Sequence, residues 1–178
     1  MRAPNWFARA CLSLAVGIGG IGAVAYAGGY RLNLSASAPQ GLWQTLPDAV
    51  PARGALVAAC PPPDPLVRAM HAAGHIPPGD CPSGTTALIK TVVAVAGDQV
   101  TIERGKPMRV NGIEIPNSAA LQRPDLPSQP LGTHQVKAGQ VWIVSVYAPA
   151  SFDSRYFGPI AATEIRAVVR PVIVTEGH

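Results

Sequence analysis

Twenty-one consecutive residues, Ala10 to Tyr30 (ACLSLAVGIGGIGAVAYAGGY), carry no charged side chain. As a helix rising about 1.5 Å per residue they reach roughly 30 Å, the thickness of a bilayer's hydrocarbon core. A chain with such a run must bury it in a protein core or leave it in lipid. Charged residues make up only 13% of the 178 residues, about half the usual share, which favours lipid. Arg2 and Arg9 precede the run and Arg31 follows it, so the positive-inside rule places the N-terminus in the cytoplasm. The expected division is a cytoplasmic N-terminus (1–9), a transmembrane helix (10–30) and an exported domain (31–178). A cleaved signal peptide is the alternative, with small-x-small sites at Ala23-Val24-Ala25 and Ala25-Tyr26-Ala27. The run is longer than the core of about 7–15 residues typical of such a peptide, which favours a retained anchor. The literal G-x-G-x-x-G from Gly17 to Gly22 follows no strand and lies inside the span, so it is not a nucleotide fingerprint.

Beyond the anchor the pattern is β. Strands are expected at Gly41–Leu46, Gly54–Ala59, Leu88–Ala96, Gln99–Ile102, Arg109–Val110, Ile113–Ile115, Val141–Val146 and Ala167–Val174, separated by Gly, Pro and Asp turns. Asn111-Gly112 is a strong hairpin signal. Helical periodicity is confined to residues 65–73, and the proline-spaced stretch 116–132 reads as a surface loop. The expected class is a mainly β, antiparallel domain carried by one N-terminal helix.

Within that pattern Lys90 is out of place. It interrupts the apolar, β-branched run Thr86 to Ala96, whereas the other two lysines, Lys106 and Lys137, sit in polar turns. A lysine folded into a buried strand loses hydration, which disfavours its charged form. A general base working near neutral pH needs such a lowered pKa, so Lys90 is a candidate base; snorkelling from a strand edge is the competing explanation. Cys60 and Cys81 both fall in the exported part, among prolines and glycines. An oxidising compartment would let them close a loop of about twenty residues, worth about 3 kcal/mol. Cys11 lies within the apolar span. A metal site is the rival for the cysteines. His71 and His75 are four apart, but Gly74, Pro77 and Pro78 break the helix that would carry both, so no metal and no cofactor are expected. The net charge of +4 is dispersed, with no basic cluster interleaved with aromatics, which argues against a nucleic-acid partner.

Three separated segments then acquire meaning together. The first is Asn33-x-Ser35-x-Ser37-x-Pro39-x-Gly41, just past the anchor, which alone would be an ordinary linker. The second is the Lys90 strand, ending in Gly97-Asp98. The third is Ser151-x-Asp153-Ser154-Arg155-x-x-Gly158. In this order, behind an N-terminal anchor, they resemble the type I signal peptidase family, most closely its conjugative-transfer branch, the TraF-like peptidases. The resemblance implies a signal-peptidase-like β-rich domain in the periplasm, anchored in a bacterial inner membrane.

Carried over residue by residue, the resemblance implies Ser37 as nucleophile and Lys90 as its general base. It implies Ser35, with the Ser37 backbone N–H, as stabiliser of the oxyanion, and Ser151 as the hydroxyl that orients the lysine. Asp153 and Arg155 match a pair in the last motif, where a structural ion pair is as reasonable as a direct catalytic part. There are departures: Ala36 and Ala38 stand where ordinary members carry Gly and Met, Thr91 replaces an arginine, and Val146-Tyr147-Ala148-Pro149 replaces a Gly-Asp-Asn-Arg run. These fit a dedicated enzyme better than a general one. The expected activity is an anchored serine endopeptidase that cleaves exported precursors after small residues, the substrate being a pilin or another conjugative-transfer protein. A housekeeping signal peptidase and a non-catalytic, membrane-tethered assembly scaffold are the alternatives.

Overall fold

The computed structural model describes residues 5–124 and 126–175. Arg2, His178 and the start of the N-terminal segment 1–9 lie outside these described residues. Helix α1 (Asn5–Ala27) leads into strands β1 (Tyr30–Asn33), β2 (Gly41–Leu46) and β3 (Leu56–Ala59), then helix α2 (Pro65–Ala72). The central strand β4 (Leu88–Val95) precedes β5 (Gln99–Ile102), β6 (Arg109–Val110), β7 (Ile113–Glu114), β8 (Gly132–Gln135) and β9 (Gln140–Val144). The short helix α3 (Ser154–Phe157), β10 (Ile160–Ala161) and the long strand β11 (Ile165–Val174) complete the chain. Seven strands form one sheet in the order β1-β2-β11-β3-β4-β9-β10, and four form a second, β7-β6-β5-β8. Every named pairing is antiparallel, the expected mainly β architecture.

β4 is buried on both faces because it lies inside the seven-stranded sheet, which is why its sequence is continuously apolar. A register shift between Val92 and Ala94 swings the strand from one core to the other. Val92 packs with Val57, Val67, Ile143 and Phe157 under α2. Val93 and Ala94 pack with Val100, Met108, Val110 and Trp142, joining the large sheet to the small one. A third cluster, Ala38, Trp43 and Val169, lies beneath the β1–β2 loop.

The helix has 20 residues, Ala8–Ala27, apolar enough to cross a bilayer, and its side chains are unburied. It ends three residues before the uncharged run does. Gly29 adopts φ +81°, and a Cβ there would lie 2.4 Å from Thr45 Oγ1, so only glycine allows this turn. The Arg31 guanidinium stacks 3.7 Å over the Tyr26 ring and donates to the Tyr26 and Tyr30 carbonyls, closing the helix C-terminus. The Thr45 N–H donates to the Gly29 carbonyl, so the turn after α1 is hydrogen-bonded to β2.

Other departures from expectation have local causes. β1 begins at the last residue of the uncharged run, and its four residues are too few to show a strand pattern. β8 (Gly-Thr-His-Gln) is largely exposed and shows no alternation, and β10 is too short to signal itself. β9 stops at Val144 rather than Val146, for a reason that lies in the site.

Cys60 and Cys81 are disulfide-bonded, and Cys11 is a free cysteine on α1. The bridge spans 21 positions and encloses α2, a constraint worth about 3 kcal/mol through the unfolded chain. Replacing both cysteines by serine is expected to lower unfolding free energy by about that amount in denaturant titration. Thiol labelling without reductant should tag Cys11 alone.

Candidate active site

The loop between β1 and β2 carries Ser35 and Ser37, and its shape is fixed from below. Asn33, buried at the end of β1, shares its amide hydrogens among the carbonyls of Ser35, Ala38 and Pro39, while its Oδ1 accepts from the Ser35 N–H. The Trp43 indole donates to the Pro39 carbonyl at 2.9 Å. Ala38 is 3% exposed and packs on Trp43. This leaves Ser37 turned toward β4.

There it meets Lys90. The amine is 2.9 Å from Ser37 Oγ and donates also to the Ile89 carbonyl at 3.1 Å. Lys90 is 2% exposed, and burial drives its pKa from the ordinary 10.5 down to about 8. The Asp153 carboxylate pushes the value up and the Arg155 guanidinium pushes it down. The opposed charges partly offset one another, and desolvation dominates. Ser35 Oγ lies 2.7 Å from Ser37 Oγ and accepts from the Ser37 N–H at 3.3 Å.

The third motif forms the floor. Asp153 caps α3, and its carboxylate pairs with Arg155 through two bonds of 2.8 Å, Nε to Oδ1 and Nη2 to Oδ2. The remaining Arg155 hydrogens reach the carbonyls of Asn117, Ala119, Pro149 and Ser151. Five acceptor groups thus surround a guanidinium that is 2% exposed, which is what makes burial of the charge tolerable. The same motif closes the far edge of β9. The Ile143 N–H donates to Ser154 Oγ and the Ser145 N–H to Asp153 Oδ2, both at 3.0 Å. Side chains therefore take over from strand pairing, and β9 ends. Ser151 lines the cavity with its Oγ buried and, among the described residues, without a hydrogen-bond partner.

A cavity of about 670 Å³ opens over Ser37 and Lys90. Its walls come from Leu32 and Leu34 just after α1, from residues 75–78 within the disulfide-closed loop, from Thr86–Lys90, and from the proline-spaced loop through Leu121, Arg123 and Leu126. The candidate residues Ser35, Ser37, Lys90 and Ser151 all line it, while Asp153 and Arg155 lie behind. Asn33 and Ser145 had no assigned role in the sequence. Asn33 opens the first of the three sequence motifs, two residues before the candidate oxyanion serine, whereas nothing marks Ser145. Among the described residues no group of three or more His, Cys, Asp or Glu side chains could hold a metal.

Carrying the charge of Lys90 into the folded state has a definite pH signature. The folded pKa is below the unfolded one, so between about pH 8 and 10.5 the unfolded chain binds more protons and stability rises with pH. Below pH 8 the amine is protonated in both states and the penalty, about 3 kcal/mol, is fully present. Lys90→Met is therefore expected to raise the unfolding free energy at pH 7 by up to about 3 kcal/mol, and by progressively less toward pH 10.5. Chemical denaturation across that range measures it.

Residues 8–174 match the family described as signal peptidase, peptidase S26. The chain is 39% identical over 152 residues to the probable conjugal transfer protein TraF of Sinorhizobium fredii, covering 84% of this chain and 79% of that one. It is 34% identical over 176 residues to a plasmid transfer protein TraF of Escherichia coli, covering 94% and 97%. A conjugal transfer protein TraF of Agrobacterium tumefaciens is 35% identical over 162 residues, covering 89% and 90%. Among solved structures, a signal peptidase I of Enterococcus faecalis overlays 67% of this chain and 97% of its own, at 17% identity and a TM-score of 0.41.

Proposed function

The chain belongs to the signal peptidase family, peptidase S26, and we propose that it is a membrane-anchored serine endopeptidase working through a Ser37/Lys90 dyad. The observation that carries this reading is the 2.9 Å contact between Ser37 Oγ and a desolvated Lys90 amine with a pKa of about 8. Near neutral pH a usable fraction of that amine is unprotonated and can accept the serine proton.

In the proposed cycle the Ser37 hydroxyl gives its proton to Lys90 Nζ as Oγ attacks the scissile carbonyl carbon. The Ser35 hydroxyl and the Ser37 N–H, which lie side by side, stabilise the developing oxyanion. The Lys90 ammonium then returns the proton to the leaving amine, and an acyl-Ser37 ester remains. Water, deprotonated by Lys90, hydrolyses that ester and restores the hydroxyl. Asp153 and Arg155 take no part in bond making; they hold the floor against which the lysine lies.

The substrate is an exported precursor cut after a small residue, and the names of the relatives support one made for conjugative transfer, such as a pilin. The apolar helix fits a single-pass anchor. The proposed arrangement has the N-terminus in the cytoplasm and the domain on the periplasmic face of a bacterial inner membrane. The Cys60–Cys81 disulfide supports that side, because such bonds persist in oxidising compartments. Precursors emerging through the same membrane then meet the enzyme at high local concentration.

The test is hydrolysis of an internally quenched peptide with an Ala-x-Ala cleavage site by the full-length protein in proteoliposomes. Ser37→Ala, Lys90→Ala and Lys90→Arg should each lose at least about a thousandfold in kcat/KM, since a guanidinium cannot serve as base. Activity within tenfold of wild type in either Ser37→Ala or Lys90→Ala contradicts the dyad.

A further inference from the structure

We propose that Ser145 is a positioning residue for the nucleophile, an inference that rests on the dyad reading above. Ser145 follows the end of β9 and is 1% exposed. Its hydroxyl donates to the Ser37 carbonyl at 2.6 Å, across 108 positions of sequence. The same oxygen accepts from the N–H groups of Tyr147, at 3.2 Å, and Ala148, at 3.0 Å. A serine hydroxyl has one hydrogen and two lone pairs. Both lone pairs are taken by these N–H groups, so the hydrogen has one direction left, toward Ser37. A serine that merely closed the 145–148 turn would need only the two accepted bonds.

The consequence falls on Ser37 itself. Ser35 Oγ holds its N–H and Ser145 holds its C=O, so the backbone on both sides of the nucleophile is fixed while its Oγ faces Lys90. Ser145 is in turn fixed by its own N–H, which donates to Asp153 Oδ2. A hydrogen-bonded path therefore runs from Arg155 through Asp153 and Ser145 to the Ser37 backbone. It gives Asp153 a way to influence catalysis that is separate from its field at Lys90. An error of about 1 Å in the placement of a reacting group can cost about a hundredfold in rate.

The experiment compares Ser145→Ala and Ser145→Cys with wild type and Ser37→Ala in the quenched-peptide assay, using full-length protein, with thermal melts alongside. Ser145→Ala is expected to lower kcat about 10–100-fold with KM within about twofold. The pH–rate half-point should stay near 8, because Lys90 is untouched. Ser145→Cys, isosteric but a weaker donor, should fall between Ser145→Ala and wild type. The proposal is overturned if Ser145→Ala keeps kcat within twofold, if KM alone changes, or if the half-point moves. Should Ser145→Ala melt below the assay temperature, full kcat in Ser145→Cys overturns it and a reduced kcat at unchanged KM supports it. Activity in Ser37→Ala would instead remove the dyad reading, and this inference with it.

Discussion

The ion pair of Asp153 and Arg155 is the contact on which the rest of the site depends. Removing either partner would leave the other charge buried and unpaired, which typically costs about 3–5 kcal/mol. The pair ties the residue 117–119 loop, the 149–151 turn and the end of β9 to one helix turn. It also has an electrostatic use. A lone carboxylate near Lys90 would hold the amine protonated, whereas Arg155 works against Asp153 and leaves burial to set the pKa. The site thereby keeps the pKa of a buried lysine within reach of neutral pH.

That lysine marks a conflict between stability and chemistry. Thr91 apart, the other positions of β4 carry apolar residues, and the fold would be more stable with one at 90 as well. A strained or costly residue in an otherwise consistent strand is what a functional site is expected to look like. The loop opposite it shows the reverse logic: Asn33, Trp43 and Ala38 spend their bonds and their packing on holding seven residues between two strands in one shape.

What could be read from the residues follows the same division. Lys90 was legible because a charge inside an apolar run is conspicuous, and the disulfide because Cys60 and Cys81 are the two cysteines beyond the anchor. The strands with an apolar face were legible by pattern. β1 was not, since its Tyr-Arg-Leu-Asn is a four-residue stretch that begins where the apolar tract ends, and neither was α3, a single turn whose sequence carries no period. Ser145 was invisible: a serine after the apolar run Val-Trp-Ile-Val looks like the ordinary end of a strand, and its meaning comes from a contact with a residue more than a hundred positions away. Ser151 shows the limit of resemblance. The family pattern points to a hydroxyl beside the lysine, while in this structure the Lys90 amine bonds to Ser37 Oγ and the Ile89 carbonyl, and Ser151 Oγ has no partner among the described residues.

The central claim is that burial lowers the Lys90 pKa to about 8 while the amine touches Ser37, so that a usable fraction is unprotonated near neutral pH. It can be measured without any substrate by NMR titration of protein carrying ¹³C-labelled lysine, which has only three lysine side chains to resolve. The Lys90 resonance, assigned through Lys90→Arg, should titrate with a midpoint near 8. A midpoint at or above 10 would mean that the amine stays charged at neutral pH, and the proposed chemistry would have no base.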